Sequence, residues 1–150
     1  MKLTSGDIFK IPTGIGFGFL QFIEIDSMGI EYIRVLDQIS ENGTITQFEI
    51  DKTERWCIGF PLRAASRKKI VERIGTFNIP SNFKPSDSVR SEHIIGDKFL
   101  GWFIINRKTL KRKFKKKLSK KQLKLSPHGI MNDTLIIERL EENWNLAEWK

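Results

Sequence analysis

The chain has 150 residues, 39% of them hydrophobic and 29% charged, with a net charge of +8. That length suits one domain with a core of its own, and the composition excludes a disordered tail. The longest near-apolar run, Phe99–Ile105, falls far short of the roughly 18–20 residues needed to cross a bilayer, so no membrane partner is expected.

No apolar stretch follows the start, so no secretory signal is expected. The single cysteine, Cys57, cannot close an intrachain disulfide, which fits a reducing, cytoplasmic setting. The 21 Ile and 11 Phe against 3 Ala favour strands over helices.

In chain order, Ile8–Ile11 reads as a first strand that Pro12 is expected to stop. Gly14, Gly16 and Gly18 alternate with Ile15, Phe17 and Phe19, a strand period that carries on to Ile25. Ile30–Leu36 is the third strand, with Ile30, Tyr32 and Arg34 on one face. Asn42-Gly43 is a hairpin signal, and Thr44–Ile50 is expected as the strand after it. Trp56–Phe60 follows, then a helix or loop over Pro61–Lys69 and a strand or bulged strand in Lys69–Ile79. Ser88–Ile95 and Phe99–Asn106 read as strands joined at Gly96-Asp97, and Thr109–Lys117 extends that hairpin. Ser119-Lys120-Lys121-Gln122 matches a capping box and predicts a short helix from Lys120. Asn132 or Asp133 caps a closing helix over about Thr134–Trp144, with Ile136, Ile137, Leu140 and Trp144 on one stripe. The expected fold is α+β: a single β-rich domain over residues 1–150, a twisted, mostly antiparallel sheet or small open barrel with short C-terminal helices.

The charge is concentrated. Arg107–Lys124 holds 11 Lys or Arg and no acid, while the rest of the chain carries 15 basic and 18 acidic residues. The run reads either as a solvated face whose Leu110, Phe114 and Leu118 pack on the core, or as a surface for a macromolecule. Its partner-binding candidates are Arg107, Lys111, Arg112, Lys113, Lys115, Lys116 and Lys117. Phe114 within the run, with Trp102 and Phe103 nearby, keeps a nucleic-acid-binding module using residues 107–124 open as an alternative.

Catalytic and metal patterns are missing. Two histidines, His93 and His128, and one cysteine give no zinc spacing. The glycines of Gly14–Gly18 lead into a strand rather than a helix N-terminus, so they do not cradle phosphate. Cys57 beside Trp56 and Ile58 reads as a buried small hydrophobe. Neither a cofactor nor enzymatic activity is expected.

Several segments, taken in order, resemble the immunity protein 26 family of bacterial polymorphic toxin systems. The opening Gly6-Asp7-Ile8-Phe9-Lys10-Ile11-Pro12 is similar to that family's start, and Gly16-Phe17-Gly18-Phe19 to its glycine–aromatic second strand. Ile74-Gly75 with Pro80, then Trp102-Phe103-Ile104-Ile105, match later patterns. Leu125-Ser126-Pro127, Gly129, Ile137-Glu138-Arg139-Leu140 and Trp144 resemble the closing segment. The resemblance implies a cytoplasmic, non-enzymatic protein made beside a toxin, which it binds and blocks. It implies no cofactor and assigns no binding residues.

Overall fold

The computed structural model describes residues 1–150. Eight strands form two antiparallel sheets: β1 (Asp7–Thr13), β2 (Gly16–Ile25), β3 (Glu31–Val35), β4 (Trp56–Gly59) and β5 (Glu72–Thr76) in the order β4-β3-β2-β1-β5, and β6 (Ser88–Ile95), β7 (Lys98–Asn106) and β8 (Arg112–Lys115) in the order β6-β7-β8. The helices α1 (Gln47–Ile50), α2 (Leu62–Arg67) and α3 (Asp133–Glu141) are short, and two 3-10 turns cover Gln122–Lys124 and Leu146–Glu148. The fold is therefore α+β and mostly β. No helix is long and apolar enough to cross a membrane.

The larger sheet is buried on both faces because its strands alternate two sets of apolar side chains. Phe9, Ile11, Leu20, Ile33, Val35 and Trp56 face a 15-residue core closed by Ile136 and Leu140 of α3. Ile8 and Phe19 face a smaller core with Leu36, Ile45 and Ile50. Helix α3 starts where Asn132 accepts a hydrogen bond from the Leu135 N–H. It lies close on β2 at Gly18, where a Cβ would sit 2.6 Å from Leu140 Cδ1. Glu141 accepts a hydrogen bond from the Gly14 N–H and ties α3 to the β1–β2 turn.

Four expectations need correction. Thr44–Ile50 is not a strand, and Asn42-Gly43 does not turn a hairpin. Thr46 and Glu49 form a reciprocal capping box that starts α1, and this local hydrogen bonding outweighs the β-branched composition. Asn42 Oδ1 accepts bonds from the Thr44 N–H and hydroxyl, which makes an open turn instead. Pro12 does not stop β1, because β5 ends opposite Lys10 and the missing N–H falls where β1 has one neighbour. Leu110 and Phe114 are not packed on the core; both are nearly half exposed.

The stretch Ser126–Met131 joins the two sheets. On one side the Arg90 N–H of β6 donates to the Ser126 carbonyl, and the His128 N–H donates to Arg90. On the other, the Gly59 N–H of β4 donates to Gly129, and the Met131 N–H donates back. The Ser126 hydroxyl also accepts the Cys57 N–H. The Ser126-Pro127 pair thus belongs to the seam between sheets.

Candidate functional site

The smaller sheet carries the middle of the basic run, Arg112, Lys113 and Lys115 of β8, and its alternation divides these residues between two faces. Residues paired across an antiparallel ladder share a face. Lys113 and Lys115 pair with Ile104 and Trp102, while Arg112 and Phe114 pair with Ile105 and Phe103. The charge is therefore not one patch but a short edge strand presenting cations on both sides. Lysines on an edge strand also discourage unwanted strand pairing.

On the first face, Arg90 is fully buried. Its Nε donates to the Leu125 carbonyl at 3.0 Å, and Nη2 to Leu123 at 3.1 Å and Leu146 at 2.9 Å. Its Nη1 donates to the Trp149 carbonyl. The guanidinium lies 4.1 Å from the Trp149 ring centroid and 4.8 Å from that of Trp102. One side chain thereby fixes both 3-10 turns against β6 and β7. Burial pulls its pKa down to about 10, with Glu92 acting the other way, so it remains a cation at neutral pH.

On the second face, His93 packs against Phe103 and Phe114, with ring centroids 4.5 and 5.9 Å away. Arg112 covers Phe103 at 4.5 Å. Phe114 lies over Gly101, whose φ of +148° favours glycine and whose Cβ would come within 2.8 Å of the Phe114 ring. The β6–β7 register slips between His93 and Ile94, leaving Leu100 as the extra residue. This bulge turns Phe99 to the Trp102 face, where the two rings meet edge-on at 5.5 Å. The hairpin tip ends in Ile94, Ile95 and Phe99, all about half exposed or more.

The expected partner-binding residues separate into two groups. Lys111, Arg112, Lys113, Lys115, Lys116 and Lys117 carry no ion pair, and all but the half-buried Lys115 are exposed. Arg107 differs. Its side chain is only 12% exposed, stacks 3.7 Å from the Tyr32 centroid and pairs with Glu24 at 3.3 Å. It links the end of β7 to β2 and β3 and is not a free member of the surface. The sequence reading missed the exposed hairpin tip. The signal was present: Ile94-Ile95 and Phe99-Leu100 lie on either side of Gly96-Asp97-Lys98, and strand alternation cannot bury adjacent apolar residues on one side.

Cys57 is buried, as the sequence reading expected, and burial pushes its thiol pKa up. The charges acting on it are Glu54, Arg34 and Arg107, not a histidine. No three His, Cys, Asp or Glu side chains gather in a metal-binding cluster. Arg34 is a second buried cation, held by Glu54 at 2.9 Å, by Gln21 and by the Ile50 and Lys52 carbonyls. Comparison with protein-family models, curated proteins and solved structures returns no match.

Proposed function

We propose that this protein is a non-enzymatic immunity protein that works in the cytoplasm of the producing cell by binding a cognate toxin. The carrying observation is the smaller sheet: an apolar hairpin tip of Ile94, Ile95 and Phe99 beside six basic residues of β8 and its flanks that have no ion-pair partner within the chain. Exposed apolar side chains rimmed by uncompensated charge suit an oppositely charged protein surface. The ordered resemblance to the immunity protein 26 family supports a toxin as that partner.

Nucleic-acid binding is the weaker reading. Base stacking needs an open ring face, and Arg112 and His93 already lie against Phe103.

Co-expression with the adjacent toxin gene tests the proposal. Growth is expected to be rescued and the two proteins to co-purify. Reversing charge at Lys113, Lys115 and Lys117 slows association, most strongly at low salt. A protein that neither protects cells nor binds the toxin overturns the reading.

A further inference from the structure

Two hollows lie side by side between the smaller sheet and the C-terminal 3-10 turns. The first, about 310 Å3, is floored by Phe99, Trp102, Leu118 and Leu123. The second, about 650 Å3, lies between Trp56, Leu123, Leu146 and Ala147. Leu123 borders both, so the two hollows adjoin and are taken together as one groove. The volume of each falls in the range of recognised binding pockets.

The rim is basic. Lys116, Lys117 and Lys150 edge the first hollow, and Lys120 and Lys124 the second. None of the five has an ion-pair partner. The one side-chain carboxylate in either lining, Glu54, is committed to the buried Arg34, and Arg55 is committed to Asp37 and Asn143. The groove therefore has an apolar floor and an uncompensated positive rim.

Its walls are preformed. Arg90 binds carbonyls of Leu123, Leu125, Leu146 and Trp149 and so holds both 3-10 turns in place. Ser119 and Gln122 cap each other across the turn that presents Lys120 and Lys124. Preformed walls lower the ordering cost of binding.

We propose that this groove seats an extended acidic segment of the toxin, with an apolar side chain in each hollow and carboxylates on the lysine rim. The inference rests on the toxin-binding reading and names the segment recognised. Charge complementarity selects the occupant. A second copy of this chain, at +8, would be repelled. A nucleic acid matches the rim but the floor poorly, because Trp102 is only 4% exposed and Trp56 is fully buried, which leaves Phe99 as the one exposed ring and no second ring for a neighbouring base.

The probe is a fluorescent peptide, Glu-Asp-Leu-Glu-Asp-Phe-Glu-Asp, titrated against the full chain and followed by anisotropy. Controls are the same peptide with Leu and Phe replaced by Ser, and a short oligothymidylate. The protein variants are K120E/K124E in the groove and K2E/K68E, which line neither hollow, and the two pairs change net charge equally. Thermal melts check that each is folded. The expected result is peptide binding that falls at least about tenfold with the Ser peptide and with K120E/K124E, and much less with K2E/K68E. Equal losses in the two protein variants, equal binding of the Ser peptide, or tighter binding of oligothymidylate would overturn the inference. Toxin binding separates it from the broader reading. If K120E/K124E binds and neutralises the toxin as wild type does, the groove assignment falls and the toxin-binding reading stands. If wild type binds no toxin, that reading falls, and the peptide titration still decides whether the groove takes acidic peptides.

Discussion

The Arg90 guanidinium lies 4.1 Å over the Trp149 ring and also donates a hydrogen bond to the Trp149 carbonyl, joining the penultimate residue of the chain to the first strand of the smaller sheet. Stacking on the ring while bonding four carbonyls at once needs a planar fork with several donors, which lysine lacks.

Replacing Arg90 with Met or Lys is therefore expected to cost about 3 kcal/mol or more of stability, because four carbonyls lose their donor together. Urea unfolding measures this. Arg90→Lys should be scarcely better than Arg90→Met. Near-wild-type stability of the Lys variant would show that charge alone suffices.

Asp7 gives the stability of the fold a definite pH dependence. Burial alone would raise its pKa, but hydrogen bonds from the Thr76 hydroxyl, the Thr4 N–H and the Arg73 guanidinium outweigh that and bring it below 3.8. A carboxyl with a depressed folded pKa contributes fully above its unfolded pKa, near 3.8, and loses that contribution as pH falls through the lower folded value. Asp7→Asn should lower stability by about 2 kcal/mol at neutral pH. The gap from wild type should narrow below pH 3.8. A gap independent of pH would contradict this.

Cys57 should be inert in the folded protein. It is buried in β4, and its thiol pKa is pushed up by desolvation first and by Glu54 second. Reaction with a disulfide reagent should follow global unfolding across a urea series. Cys57→Ala should cost about 1–2 kcal/mol through lost packing and leave toxin protection unchanged. Fast labelling of the native protein, or loss of protection, would reveal a role that burial argues against.

Gly101 should tolerate no side chain. A Cβ there would meet the Lys115 carbonyl oxygen at 2.8 Å, in a backbone conformation that branched residues avoid. Gly101→Val should cost about 2 kcal/mol or more and displace Phe114 from β7. The His93 ring protons, which lie against Phe114, would report this as a shift toward solvent-exposed values in the NMR spectrum.

Periodicity decided the strands. Alternation over residues 16–25 and the apolar pattern of residues 99–106 each follow from local chain geometry, so β2 and β7 were legible without the fold. The same holds for short-range side-chain bonds: Ser119 with Gln122 forms the expected capping box, and Asn132 caps α3. A capping box of the same form at Thr46 and Glu49 was also present in the sequence, but the β-branched residues around it obscured it.

Long-range partners were not legible. Arg34, Arg90 and Arg107 look like any surface arginine in the sequence, because the carbonyls, carboxylates and rings that hold them lie up to 83 residues away. The bulge at Leu100 turns Phe99 to the Trp102 face, and a one-residue register slip of that kind is set by pairing across strands, not by either strand alone. The basic run determined how much charge the surface carries. Only the ladder between β7 and β8 decided which lysines share a face, and only the docking of the C-terminal turns by Arg90 made a groove between them, since both depend on contacts between residues far apart in the chain.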